Sequence, residues 1–206
     1  MRSKRPLIAL AAALFLAAPF SLFSQVVESA TGPVGRPLSV GAGMSYNFLD
    51  LSKDSHMPGI AVWADWRCFG GDHWLNRLAI EAEGRDVHWN PPPDLPNLRV
   101  DTIQGGVNIL ILSGNRTRFY AKGLAGVGSA DVPPDQFNGV GHKTEDIYSL
   151  GEGLDLRLNR FFSAKLEVET QIWPHFFPLG SALTPSSITV GVQHTFGGIH
   201  REAHAY

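Results

Sequence analysis

A single cysteine, Cys68, excludes any disulfide framework within the chain. Neither sign of charge dominates: 17 Lys and Arg stand against 19 Asp and Glu, a formal net charge of -2. That balance argues against general nucleic-acid binding, which calls for a basic face. Beyond the N-terminus, no apolar run approaches the ~18 residues a spanning helix requires. Any membrane crossing must therefore be made by strands. There is no low-complexity tract and no internal repeat beyond the hairpin itself. The 14 prolines cluster in segments that read as loops, as suits a β-protein.

The first residues do not belong to the fold. Arg2, Lys4 and Arg5 give a basic start, Leu7 to Phe20 an apolar run, and small residues then lead to a cut between Ser24 and Gln25. This pattern predicts a secretory signal peptide over 1–24. No cysteine lies near the cut, so a lipoprotein anchor is not expected. A short segment over 25–36, a barrel over 37–196 and a tail over 197–206 complete the expected organisation.

Eight stretches alternate apolar and polar residues with period two. Leu38, Val40, Ala42, Met44, Tyr46 and Phe48 share one parity, against Ser39, Gly41, Gly43, Ser45 and Asn47. Successive strand side chains point to opposite faces, so each stretch is a ribbon with one apolar side. The same holds from Ile60 to Arg67, Leu78 to Arg85, Leu150 to Leu158, Phe162 to Ile172 and Ser187 to Phe196. Between Leu98 and Leu112 the parity changes near Gly105 and Gly106, which suggests a bulge. The stretch Phe119 to Gly128 is glycine-rich and ambiguous in parity.

Tight links at Gly70–Asp72, Ser113–Asn115 and Asn159–Arg160 alternate with longer ones at 50–59, 86–97, 129–146 and 174–186. Short turns on one rim and long loops on the other fit an outer-membrane barrel. The expected fold is all-β: a closed, antiparallel, eight-stranded up-and-down transmembrane barrel. Alternation alone leaves a soluble barrel with an apolar lumen open. Aromatics near the strand ends favour the membrane version, since interfacial girdles have this form. Phe48, Trp89 and Trp173 are expected at one rim, and Trp66, Trp74, Phe119, Tyr120, Phe161, Phe162 and Phe196 at the other.

Gly-Leu-Asp-Leu-Arg-Leu-Asn-Arg at 153–160, followed by Lys165, Glu167, Glu169 and Gln171, resembles the penultimate hairpin of small bacterial outer-membrane barrels of the OmpA-like and Opa-like class. Phe119-Tyr-Ala-Lys-Gly-Leu-Ala-Gly-Val-Gly is similar to their fifth strand. Leu183-Thr-Pro185 leading to Val190-Gly-Val-Gln-His-Thr-Phe196 is similar to their last. The resemblance spans about Pro37 to Phe196 and implies a largely plugged barrel in the outer membrane of a Gram-negative cell. Nothing resembles the peptidoglycan-binding domain that some members carry. Implied partners are outer-membrane lipids, lipopolysaccharide and the barrel-assembly machinery, with the chain a monomer. Such barrels end on a terminal aromatic that this machinery reads, whereas here Gly197 to Tyr206 follow Phe196.

The largest polar constellation lies on the inward parity: Asp65, Arg67, Glu81, Glu83, Arg85, Asp155, Arg157, Lys165, Glu167 and Glu169. Charges removed from bulk water must be paired. An eight-stranded interior is just wide enough for side chains. A salt-bridged plug is the expectation, with an ion path or a catalytic carboxylate pair as the alternatives. Each long loop is expected to hold one histidine: His56, His88, His142 and His175. Converging imidazoles would offer a metal site; no convergence is legible, and no cofactor is expected. A lipid-modifying enzyme would need a Ser and a His near an acid at the outer rim. Ser181, Ser186 and Ser187 show no spacing that makes such a triad. The expected function is therefore a non-enzymatic barrel with a structural or adhesin-like surface role. A narrow porin and an outer-membrane lipid-modifying enzyme are the alternatives.

Overall fold

The computed structural model describes residues 38–48, 56–67, 74–89, 98–131, 141–175 and 182–196. The expected signal peptide, N-terminal segment and C-terminal tail lie outside the described residues, as does Ser181. The side chains of His56 and Trp89 are likewise outside the description.

Eight antiparallel strands form a closed barrel in which each pairs with its sequence neighbours and the last with the first. They are β1 (Leu38–Phe48), β2 (His56–Trp66), β3 (Leu78–Trp89), β4 (Leu98–Ser113), β5 (Thr117–Asp131), β6 (His142–Arg157), β7 (Phe162–Ile172) and β8 (Ser186–Phe196). Closure gives every strand a partner on both sides, so no backbone edge is left facing hydrocarbon. A 3-10 turn at Trp74–Arg77 precedes β3. No described helix is long and apolar enough to cross a membrane.

The outer wall is apolar. Met44 is 73% exposed, and Ile60, Ile103, Leu150 and Val190 are all more than half exposed. The core is the lumen, where Glu81, Glu83, Arg85, Lys122, Lys165, Glu167 and Glu169 are buried. This is the reverse of a soluble barrel. It fixes the inside-out sense that alternation left open.

Strands β3 to β6 are longer than the others and run past the apolar wall at the loop rim. There the two faces exchange character. Register carries the outward residues His88, Arg99, Asp131 and His142 into one transverse row, and Asp86, Asp101, Ser129 and Thr144 into the next. Ion pairs join the two rows: Arg99 lies 3.3 Å from Asp86 and 3.0 Å from Asp101, and His88 lies 2.8 Å from Asp86. Inside, at the same height, Met57, Val87, Leu98, Val100, Ala130, Ile147, Trp173 and Leu183 form a buried apolar cluster. Polar outside and apolar inside is how a barrel wall is built in water. The exchange therefore marks where the wall leaves the hydrocarbon.

The exchange corrects several expectations. Gly105 and Gly106 pair without interruption on both sides; the register shift in β4 lies between Leu110 and Leu112. The inward positions of β4 change from Leu98 and Val100 to Thr102, Gln104 and Asn108 because the strand enters the membrane, with no slip of the chain. The same effect makes the loops shorter than expected. His56 and His142 begin strands and His88 lies within one.

Candidate functional site: the charged lumen

Lys122 stands at the centre of the lumen and is 3% exposed. Its ammonium nitrogen lies 3.1 Å from Glu81, 2.7 Å from Glu167 and 2.9 Å from Glu169, and it also contacts Glu83. Four carboxylates from β3 and β7 thus meet one cation from β5. Arg85 bridges the same two strands, 2.5 Å from Glu83 and 3.4 Å from Glu169, and donates to the Ser187 hydroxyl at 2.6 Å. Lys165 lies 3.4 Å from Glu81 and 3.1 Å from Glu167, with its ammonium over the rings of Trp63 and Tyr120. The Tyr120 hydroxyl donates to Glu167 at 2.8 Å, and the Asn108 amide donates to Glu81 at 3.1 Å.

Glycines make room for the large side chains. A Cβ at Gly153 would strike the Tyr120 ring, and one at Gly128 would strike Trp173. Toward the turn rim, Asp65, Arg67, Arg118 and Asp155 surround a polar cavity of about 20 Å³. That volume has room for roughly one water molecule, since a single one needs about 10–15 Å³ by this measure. Arg157 is half-buried at the same rim, its guanidinium 3.4 Å from the Asn159 carbonyl. Toward the loop rim, Gln171 donates to Glu169 at 3.0 Å and Trp173 donates to Gln171 at 3.1 Å. The apolar cluster lies beyond.

All ten charged residues placed in the lumen by periodicity occupy inward positions. Two others were missed. Arg118 and Lys122 both lie on β5, where Gly123, Gly126 and Gly128 blurred the alternation. They alter the electrostatics. Six acids, Asp65, Glu81, Glu83, Asp155, Glu167 and Glu169, now face six bases, Arg67, Arg85, Arg118, Lys122, Arg157 and Lys165, and at the loop rim the inward Lys143 and Glu145 pair with each other, which leaves the balance unchanged. The signal that could have found them is that imbalance: six buried acids with only four bases require partners from elsewhere.

Tyr120, expected at the turn-rim girdle, is instead 3% exposed inside the lumen on the inward parity of β5. Trp173 is a further correction. It is 2% exposed and points into the lumen, where it caps the polar layer through its indole N–H. It sits one residue past β7, on the inward parity, so it cannot join a lipid-facing girdle. Phe48, Trp66, Phe162 and Phe196 do face outward at the rims, and Phe119 holds outward parity. Phe161, Phe162 and Phe196 surround the His194 ring at the turn rim.

The loop histidines do not converge among the described residues. His88 pairs with Asp86 on the β3 wall, and His142 with Asp131 across the β5–β6 pair. His175 accepts from Lys143 through its backbone carbonyl. Three carboxylates close enough to hold a cation are Glu81, Glu83 and Glu167, and Lys122 already contacts each. Ser129, His142 and Asp131 do touch on the outer wall. However, the Ser129 hydroxyl is nearly equidistant from the two ring nitrogens, at 3.5 and 3.4 Å. It lacks the single directed bond by which a base takes a proton.

The sequence matches no protein-family model and no curated protein. Solved structures do match. Neisserial surface protein A superposes with a TM-score of 0.59 at 10% identity, over 78% of this chain and 96% of its own. Ail, the attachment invasion locus protein of Yersinia pestis, gives 0.56 at 12% identity over 78% and 99%. Its complex with the heparin analogue sucrose octasulfate gives 0.52 at 15% over the same shares. At these identities the likeness is one of architecture: the chain has the closed eight-stranded barrel of the small outer-membrane proteins.

Proposed function

We propose that this chain is a plugged, non-enzymatic barrel of the bacterial outer membrane, exported by cleavage of residues 1–24. Its role is structural or adhesin-like and is exerted by its outer surface. The observation that carries the reading is Lys122 in contact with four carboxylates across the lumen. A hydrated ion would have to part charges that have left bulk water, and each unpaired ion costs several kcal/mol there. The apolar cluster above this layer adds a second barrier, and the inward carboxylate beside it, Glu145, is held by Lys143. Both argue against the narrow-porin alternative. With transport closed, the polar rows on β3 to β6 and the loops beyond them are the surfaces left to meet partners, lipopolysaccharide among them.

Planar-bilayer recording from purified protein tests this. No steady conductance is expected, and regular unitary openings would make the chain a pore instead.

A further inference from the structure

Each of the three links at the turn rim carries the same dipeptide: Asn76–Arg77 between β2 and β3, Asn115–Arg116 between β4 and β5, and Asn159–Arg160 between β6 and β7. The fold does not dictate the repeat, because the links are built differently. Asn76 and Arg77 lie in the 3-10 turn. In the second link the Gly114 N–H donates to the Thr117 carbonyl at 2.7 Å. In the third the Asn159 side chain accepts from the Phe161 and Phe162 N–H groups at 2.8 and 2.9 Å. Asparagine suits tight turns on its own account. The arginine after it does not, since no turn type asks for a guanidinium. Arg77, Arg116 and Arg160 are all exposed. Among the described residues none of them has an ion-pair partner, whereas Arg85 and Arg99 do.

These cations sit at the edge of the apolar wall. Trp74, 72% exposed, shares the 3-10 turn with Arg77, and exposed Leu112 closes the wall ahead of Arg116. The Arg160 guanidinium lies 4.5 Å from the centre of the Phe161 ring, close to exposed Leu158. Arginines beside exposed aromatic and aliphatic side chains at a strand end lie at the depth of lipid headgroups. The charge there is of one sign. The described acids of this rim, Asp65 and Asp155, turn into the lumen with Arg67, Arg118 and Arg157. In sequence, the stretches 25–37, 68–73 and 197–206 that continue from these strand ends add Arg36 and Arg201 against Glu28, Asp72 and Glu202, which leaves a basic excess. The outer wall at the loop rim has the opposite sign, with Asp86, Asp101, Asp131 and Asp146 against Arg99.

We infer that Arg77, Arg116 and Arg160 form a ring that binds the headgroups of anionic phospholipids in the leaflet on the turn side, which in an outer-membrane barrel is the periplasmic one. A guanidinium presents a planar fork that matches a phosphate. Basic residues at a membrane surface draw lipids of net negative charge. Placement decides between a lipid and a soluble acidic partner. The three arginines fall on alternate links of the closed barrel, spaced around its circumference at every second strand pair. Lipids encircle a barrel in just that way, whereas an acidic protein would meet a patch on one side. The inference rests on the barrel spanning a bilayer and stands whether or not the lumen conducts.

Spin-labelled lipids at the perimeter of the purified protein in phosphatidylcholine vesicles test the proposal. The wild-type chain should retain labelled phosphatidylglycerol over labelled phosphatidylcholine by about fivefold, the pull of one basic residue on an anionic headgroup. The preference should vanish in R77Q/R116Q/R160Q and fall in about 1 M salt. R99Q, at the loop rim beside Asp86 and Asp101, should keep it. Gel mobility before and after boiling reports folding separately. If the triple variant does not fold, each single variant should lose part of the preference. Equal retention of the two lipids by the wild type, or an undiminished preference in folded variants, would overturn the proposal. So would arginine-dependent binding of poly-glutamate without any preference for phosphatidylglycerol, which would make the partner a soluble acid.

Discussion

At the residue scale, Lys122 shows why a buried charge is judged by its surroundings. Alone, an ammonium in a protein interior would be strongly unfavourable. Here Glu81, Glu83, Glu167 and Glu169 surround it, and it lets four like charges share one layer. Lys122→Met removes that compensation while keeping the chain's length. The variant should lose about 3–5 kcal/mol of folding stability, the usual cost of breaking a buried pair from one side. Urea titration of folding in lipid vesicles measures it. Tyr120→Phe is a milder test. It deletes one hydrogen bond to the Glu167 carboxylate and leaves the ring under Lys165, so the loss should be about 1.5–3 kcal/mol. If both variants matched wild type, the network would be an ornament of the lumen rather than its support.

At the scale of the strand, depth decides what a side chain costs. Leu166 on β7 pairs with Leu154 and Val190 within the apolar wall. Leu166→Arg should cost about 2–4 kcal/mol at mid-bilayer. Thr144→Arg, also outward but in a polar row above the wall, should stay within about 0.5 kcal/mol of wild type, as exposed substitutions do. Ile147→Arg, inward beside Trp173 in the apolar cluster, should again be costly. This pattern bears on what could be read in advance. The eight strands, their order and, in six of them, the apolar parity were legible because period two is a local property of consecutive residues. The strand ends were not. A reader following apolar-outward alternation stops at Arg85 or begins at Leu150, where polarity exchanges faces while the ladder continues to Trp89 and from His142. Trp173 was misread for a different reason: its place at a strand end suggested a girdle, although it continues the inward parity of Glu167, Glu169 and Gln171.

For the whole molecule, the quantity that matters is the balance of charge inside the closed wall. The charged plug was legible as a list of inward acids and bases. Its neutrality was not, because Arg118 and Lys122 lie on the one strand whose glycines hide the parity. Balance over the lumen predicts behaviour that no single pair does. Exposed pairs weaken with salt, whereas buried ones are screened far less. Raising salt to about 1 M should therefore leave the unfolding midpoint in urea close to its low-salt value. Loss of one base should also be partly repaired by loss of one acid. In Lys122→Met the lumen keeps six acids against five bases, and Glu83→Gln restores equality while Arg85 retains Glu169. The double variant should be more stable than the sum of its single losses by about 0.5–3 kcal/mol, the range of coupling between contacting groups. A double-mutant cycle in vesicles reads that difference. Strict additivity would mean that each pair stands alone and that the lumen is no more than a set of independent bridges.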